Sequence, residues 1–286
     1  MNKNINLYTH TTLECNSKLL DLSTPAIMGI LNLTDDSFHD GGKYNSIKKA
    51  LKQTEKMLDE GAKIIDIGAY SSQPYAKNIS LEEEWQRLEK TLQIINKKFP
   101  QAILSIDTFR SEIAWRSVDN GADIINDISA GNLDLKMFDI VADLNVPYIM
   151  MHMQGTPQTM QDNPHYDCIE KEVANFFLSK VKTLNQKGLS NIIIDPGFGF
   201  GKTVEHNYQL LNNLEELHAL KLPLLVGISR KSMVYKVLET DAKNSLNGTT
   251  AINTLCLSKG ASILRVHDVK EAVECVKLIN FAKNQL

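Results

Sequence analysis

Ala26-Ile-Met-Gly-Ile-Leu31, with Asn32 directly after it, sets the pattern of this chain: an apolar run that stops at a polar residue a packed core would not choose. Lys63-Ile-Ile65 precedes Asp66, Ala102-Ile-Leu-Ser-Ile106 precedes Asp107, and Asp123-Ile-Ile125 precedes Asn126. Val146-Pro-Tyr-Ile-Met-Met151 precedes His152, and Asn191-Ile-Ile-Ile194 precedes Asp195. Pro223-Leu-Leu-Val-Gly-Ile228 leads into Ser229-Arg-Lys231, and Ser262-Ile-Leu264 leads into Arg265-Val-His267-Asp268. Short continuous apolar runs fit strands buried on both faces, as in a parallel sheet. The segments between them carry helical spacing, so strand and helix alternate eight times. Such a chain closes into a single (β/α)8 TIM barrel, whose strand C-terminal ends build the active site. The competing architecture is an open doubly wound sheet.

At 286 residues the chain exceeds the roughly 250 typical of one barrel, which leaves room for a short addition. We read residues 1–24 as an N-terminal cap segment and 25–286 as the barrel. Ile5-Asn-Leu-Tyr8 and Lys18-Leu-Leu-Asp-Leu-Ser23 look like short strands around a polar turn, a hairpin-like cap over the barrel's N-terminal mouth. Expected helices are 46–60, 80–98, 111–120, 133–144, 167–187, 204–217, 245–259 and 269–283. Ser80 with Glu83 three positions on has capping-box spacing, and Gly61 sits where a helix C-cap belongs.

Hydrophobic content of 43% with 23% charged residues is that of an ordinary soluble domain. A net charge of −3 gives no electrostatic footprint for nucleic acid, so an anionic ligand needs a local cluster of cations. Cys15, Cys168, Cys256 and Cys275 form no C-x-x-C pair and read as reduced thiols. No secretory leader or membrane-length apolar run is evident, and a cytoplasmic location is expected.

The strand ends then carry the chemistry. Asn32-Leu-Thr-Asp-Asp-Ser-Phe-His-Asp-Gly-Gly42 reads as a solvated turn or as a loop that covers a substrate. Phe38 at the third ligand position excludes the usual calcium-loop pattern. Asp195-Pro-Gly-Phe-Gly-Phe-Gly-Lys-Thr203 is not a P-loop, because Pro196 stands where the first glycine must be. It is either a glycine-rich turn or a place where backbone and rings approach a flat ligand. Ser229-Arg-Lys-Ser232 and Arg265-Val-His267 gather cations after strands seven and eight, where many barrels bind phosphate; solvated surface charge is the plainer alternative. Asp107 and Asp195 can accept paired N–H donors from a heterocycle or anchor buried salt bridges. His152 is as suited to packing or capping as to chemistry.

In this order the segments resemble the dihydropteroate synthase family. The matching motifs are Met28-Gly-Ile-Leu-Asn-Leu-Thr with Asp36-Ser-Phe and Asp40-Gly-Gly, Asp66-Ile-Gly with Ser71-Ser and Pro74, and Ser105-Ile-Asp-Thr. Ile125-Asn-Asp-Ile, Met151-His-Met-Gln-Gly-Thr-Pro, Asp195-Pro-Gly-Phe-Gly-Phe-Gly-Lys, Ser229-Arg-Lys-Ser and Leu264-Arg-Val-His-Asp follow. The resemblance implies a transferase that joins 4-aminobenzoate to 6-hydroxymethyl-7,8-dihydropterin diphosphate, releasing pyrophosphate and forming 7,8-dihydropteroate for folate synthesis. It implies a pterin pocket of Asp107, Asn126, Met151, Asp195, Lys231 and Arg265. Asn32, Arg265 and His267 would hold the diphosphate, with Mg2+ reached through Asn32. Phe38, Ser72, Pro74, Phe200, Lys231 and Ser232 would form the aminobenzoate pocket, the target of sulfonamides. Asp40, Phe38, Lys231, Arg265 and His267 would carry the catalytic step. A homodimer is also implied. Two other readings stay open: a pterin-binding paralogue without synthase activity, and a pterin-dependent methyltransferase, which would be expected to lack Arg265, His267 and the loop bearing Phe38 and Asp40.

The chain departs from the family in three places. Gln73 stands for an arginine, Tyr75 for a glycine and Asp35 for a proline. Glutamine donates through its amide but lacks the charged fork of arginine, and a bulky ring at 75 removes backbone freedom. The expected consequence is a raised KM for 4-aminobenzoate or altered sulfonamide sensitivity. Steady-state kinetics of Gln73→Arg and Tyr75→Gly test this: at least one reversion lowers KM, and unchanged parameters in both remove the idea.

Overall fold

The computed structural model describes residues 12–33, 42–72 and 78–285. It begins with an antiparallel hairpin, β1 (Thr12–Cys15) and β2 (Lys18–Asp21), turned at Asn16, whose φ of 58° suits asparagine. The expected partner for β2, Ile5–Tyr8, lies outside the described residues. The observed partner is Thr12–Cys15, because leucine and cysteine alternate there with polar residues and one face can be buried.

Eight parallel strands follow. They are β3 (Ala26–Asn32), β4 (Ile64–Gly68), β5 (Ile103–Asp107), β6 (Ile124–Asp127), β7 (Tyr148–Met151), β8 (Ile192–Asp195), β9 (Leu225–Val226) and β10 (Ile263–Val266). Their order is β8-β7-β6-β5-β4-β3-β10-β9, and a parallel bridge between Ile194 and Leu224 closes the ring. The expected closed barrel is therefore the architecture. The seventh strand is shorter than its apolar run, because the chain leaves the ladder after Val226 to turn at Ser229-Arg230, where Arg230 takes φ 56°.

A strand's side chains alternate in direction, and this period of two explains where the site sits. Met28, Ile64, Ile103, Ile124, Ile149, Ile193, Leu225 and Ile263 form one apolar cluster with Leu13, Cys15, Leu20 and Leu22. The hairpin thus plugs the N-terminal mouth, and Lys18 fastens it by donating to the Ala102 carbonyl and Asp123, both at 2.7 Å. Two residues further along, the same inward face carries Asp66, Ser105, Asn126, Met151, Asp195 and Arg265. Outward residues join the larger core between barrel and helices.

The helices are α1 (Gly42–Asp59), α2 (Leu81–Lys98), α3 (Ser111–Asp119), α4 (Met137–Leu144), α5 (Ile169–Gln186), α6 (Val204–Asn212), α7 (Ser232–Tyr235), α8 (Leu246–Ser258) and α9 (Val269–Lys283). Ser80 caps α2 by accepting from the Glu83 amide at 3.1 Å. Helix α4 starts four residues later than its pattern suggests. Asp134 is engaged instead as a turn acceptor, taking the amides of Ser111 and Lys136. Helix α6 ends at Asn212 and a 3₁₀ segment, Leu214–Leu220, completes the expected span. The four-residue α7 carries too short a pattern to be read from periodicity.

Candidate active site

Asp66, in the middle of β4, has no solvent exposure and three side-chain donors. Ser105 donates to Oδ1 at 2.6 Å, while Asn126 Nδ2 at 3.1 Å and Arg265 Nε at 2.6 Å share Oδ2. Arg265 also donates through Nη2 to Asp107 Oδ2 at 2.7 Å. One guanidinium thus lies across two carboxylates. Burial works against its charge, but Asp66 and Asp107 hold its pKa above the usual arginine range. Burial raises the Asp107 carboxyl, and the negative charges of Asp66, Glu84 and Asp127 add to the effect, against the pull of Arg265. The salt-bridge role open to Asp107 is therefore real.

The second group is built on β8. Asp195 Oδ1 accepts from the Gly197 amide at 2.8 Å, and its own carbonyl accepts from the His152 amide at 3.0 Å. Only glycine fits at 197, where φ is 69° and a Cβ would lie 2.0 Å from the His152 carbonyl oxygen. Burial raises the Asp195 pKa, with Lys231 opposing. Lys231, just before α7, donates to the Phe198 carbonyl at 2.6 Å and lies 4.5 Å from the centre of the Phe200 ring. Burial pulls its pKa down to about 8, while Asp195 holds it up. Met151 is buried with Ile128, Met153 and Met160, and Phe109, Leu133 and Phe200 pack on that cluster.

A third group flanks Arg265. His267 Nδ1 lies 3.1 Å from Ser229 Oγ, and the His267 amide donates to the same oxygen. Desolvation by the surrounding protein, then the Arg265 charge, lowers its pKa to about 4, so the ring is neutral at pH 7 even though the residue is exposed at the rim. Arg230 forms a bidentate pair with Asp268 at 2.8 and 2.9 Å, tying the turn before α7 to the end of β10. Asn32 is exposed at the end of β3, and its Oδ1 lies near Gly68, beside Asp107. Ser72 and Ser232 are half-buried.

Of the residues expected from the sequence, Asn126 and Arg265 meet at Asp66 and Asp107 joins them through Arg265, while Asp195, Lys231, Phe200 and Met151 form the adjoining wall. Phe38, Asp40, Pro74, Gln73, Tyr75 and Asp35 lie outside the described residues. His152 turns out to pack: its ring stands edge-on to Phe176 at 4.9 Å, and Lys202 lies 3.0 Å from Nδ1. Sequence reasoning gave no role to Asp66, although it ends one of the eight apolar runs. Its importance depends on Arg265, 199 residues away.

Removing one partner of a buried ion pair typically costs about 3–5 kcal/mol, because the other charge is left unmatched. Asp66→Asn should lower the unfolding free energy by that amount in urea titration, since its amide also faces the donors Asn126 and Arg265. Asp107→Asn, which removes the partly exposed partner, should cost less. The reverse order would show that Asp66 is not the anchor.

The match to a family model described as pterin binding enzyme spans residues 28–267. Dihydropteroate synthase of Escherichia coli (strain K12) is 43% identical over 262 residues, which is 91% of this chain and 92% of the relative. Among solved structures, Yersinia pestis dihydropteroate synthase in a sulfonamide drug complex superposes with a TM-score of 0.90 at 40% identity, covering 96% of this chain and 99% of that one. The Xanthomonas albilineans dihydropteroate synthase in complex with 7,8-dihydropteroate gives 0.86 at 33% identity, covering 95% and 98%. With the closed barrel and the polar ring at its C-terminal mouth, these matches establish that the chain belongs to the dihydropteroate synthase family of pterin-binding transferases.

Proposed function

We propose that the chain condenses 6-hydroxymethyl-7,8-dihydropterin diphosphate with 4-aminobenzoate, forming 7,8-dihydropteroate and pyrophosphate in folate synthesis. The observation that carries this reading is Arg265 lying across Asp66 and Asp107, with the Asp195–Lys231 pair on the adjoining wall. Asp107 and Asp195 each commit one carboxylate oxygen to the protein, which leaves the second for the N–H groups of a pterin ring. Asn126 supplies an amide beside them, Met151 an apolar face, and the Arg265 guanidinium a flat one for stacking.

The departing diphosphate needs its charge neutralised, and Arg265 stands ready as a fixed cation. The tautomer in which His267 Nδ1 accepts from Ser229 puts the ring proton on Nε2, where the neutral imidazole donates a hydrogen bond to the diphosphate rather than a full charge. The amide oxygen of Asn32 is a hard donor suited to Mg2+, which commonly takes few protein ligands besides water and substrate phosphates; when bound, the ion supplies further charge neutralisation. C–O cleavage, with the bonding pair leaving on pyrophosphate, gives a cationic methylene conjugated with the pterin; the aniline nitrogen of 4-aminobenzoate attacks it and loses one proton as the C–N bond forms. The aminobenzoate ring packs on Phe200, with Lys231, Ser232 and Ser72 around it. Resemblance to the family assigns Phe38 and Pro74 to the same pocket and Asp40 to the incoming amine. Exclusion of water protects the cation, which water would otherwise trap.

Leu278 and Phe281 on α9, both 70% exposed, support a homodimer interface on that face. The other apolar residues of this helix mostly serve the barrel's core. No described helix is long and apolar enough to cross a membrane. A cytoplasmic enzyme that is sensitive to sulfonamides at the aminobenzoate pocket fits this reading.

The direct test is pyrophosphate release from the pterin diphosphate with Mg2+ present. Release that depends on 4-aminobenzoate and yields dihydropteroate supports the synthase; tight pterin binding without release identifies the inactive paralogue. The pH profile gives a second test. Lys231 is protonated below its lowered pKa of about 8, so kcat/KM for 4-aminobenzoate should hold near neutrality. Above that value it should fall by about tenfold per pH unit. Lys231→Met should be slow at every pH and lack the alkaline limb.

A further inference from the structure

Lys202 is 3% exposed, and no carboxylate lies within salt-bridge distance of it among the described residues. Its Nζ lies 3.0 Å from the carbonyls of Gly197 and Phe200, 3.3 Å from that of His152, and 3.0 Å from His152 Nδ1. The three carbonyls are acceptors, and His152 Nδ1 accepts or donates according to its tautomer. Burial and then the Lys202 charge lower the His152 pKa to about 2, so its ring is neutral. Either form of the lysine keeps donors for the loop: an ammonium offers three N–H groups, and a neutral amine offers two while its lone pair faces a protonated Nδ1. Burying an ammonium without a counter-ion costs several kcal/mol, which a methionine of similar length would avoid.

What this nitrogen holds is the loop after β8. Gly197, Gly199 and Gly201 all take positive φ, so successive peptide planes turn and their carbonyls cannot join a strand ladder. Side chains satisfy all five carbonyls in turn. Lys202 serves Gly197 and Phe200, Lys231 serves Phe198, Gln161 serves Gly199 at 3.0 Å, and Tyr166 serves Gly201 at 2.8 Å. Burial pulls the Lys202 pKa down to about 7; Asp195 favours its proton, and Lys231 opposes it.

We propose that Lys202 is a positioning residue: its buried side-chain nitrogen clamps the 197–201 loop to the end of β7, thereby fixing the Phe200 ring and the carbonyl that orients Lys231 for 4-aminobenzoate. This rests on the aminobenzoate reading of Phe200 and Lys231. Gln161 and Tyr166 act as outer pegs of the same clamp.

The experiment combines kinetics with hydrogen exchange on the intact protein, using Lys202→Met, Tyr166→Phe and Gln161→Ala. Expected for Lys202→Met is a KM for 4-aminobenzoate raised about tenfold or more, with the calorimetric Kd for the pterin diphosphate within about threefold of the parent. The two outer variants should raise that KM by about threefold each. Amide exchange in the peptide covering 197–203 should quicken by about tenfold in Lys202→Met and less in the others. If Lys202→Met does not fold, the outer variants decide on the same readouts. Unchanged exchange overturns the clamp, as does quicker exchange with pterin affinity falling in parallel with aminobenzoate. Phe200→Leu separates the two layers of the argument. If it raises KM while the clamp variants do not, positioning is wrong. If it too leaves KM unchanged, the aminobenzoate assignment has failed, and the clamp is judged on exchange alone.

Discussion

A single guanidinium held between two carboxylates organises this site. Arg265 reaches from β10 across the barrel mouth to Asp66 on β4 and Asp107 on β5. In so doing it links strands that are not all neighbours in the sheet. Ser105 and Asn126 complete the coordination of Asp66, so four strands contribute to one hydrogen-bonded unit. Such a buried network is strong when every member is satisfied and costly when one is missing. Its geometry is thus fixed before any ligand arrives, which matters for chemistry that relies on placing charge correctly at the outset.

Around that unit the barrel uses its pleat economically. The lower inward layer is apolar and closed by the hairpin, while the upper inward layer is mostly polar and lies at the C-terminal mouth. Two residues along each strand separate a stabilising position from a working one. Substitutions in the lower layer should therefore act on stability and those in the upper layer on ligands, although Asp66 belongs to both. The loop after β8 follows a different rule. Its alternating glycines give up backbone pairing, and buried or tethered side chains take over that role.

Much of this was legible beforehand. The eight apolar runs each end near the strand end seen in the structure, and their terminal polar residues lie at one mouth, with His152 turned away to pack on Phe176. The N-terminal hairpin was expected, but its strand at Thr12–Cys15 was not read, because that segment offers only two inward residues; Ile5–Tyr8 lies outside the described residues. Helix α7 was invisible because four residues carry no readable period. His152 could be read either way, since nothing local to it announces Phe176 or Lys202.

The sequence by itself determined the alternation of buried strand and amphipathic helix, the inward placement of the polar strand ends, and the family to which their motifs belong. Those are consequences of local periodicity and of residue order, which a chain carries without folding. Tertiary structure alone decided which charges meet. Asp66 and Arg265 become partners only because strand register and closure of the ring bring β4 and β10 to the same height on either side of β3. Lys202 likewise gains its purpose only when β7 and the loop after β8 are packed together, for no spacing along a chain specifies which carbonyls a buried lysine nitrogen will find.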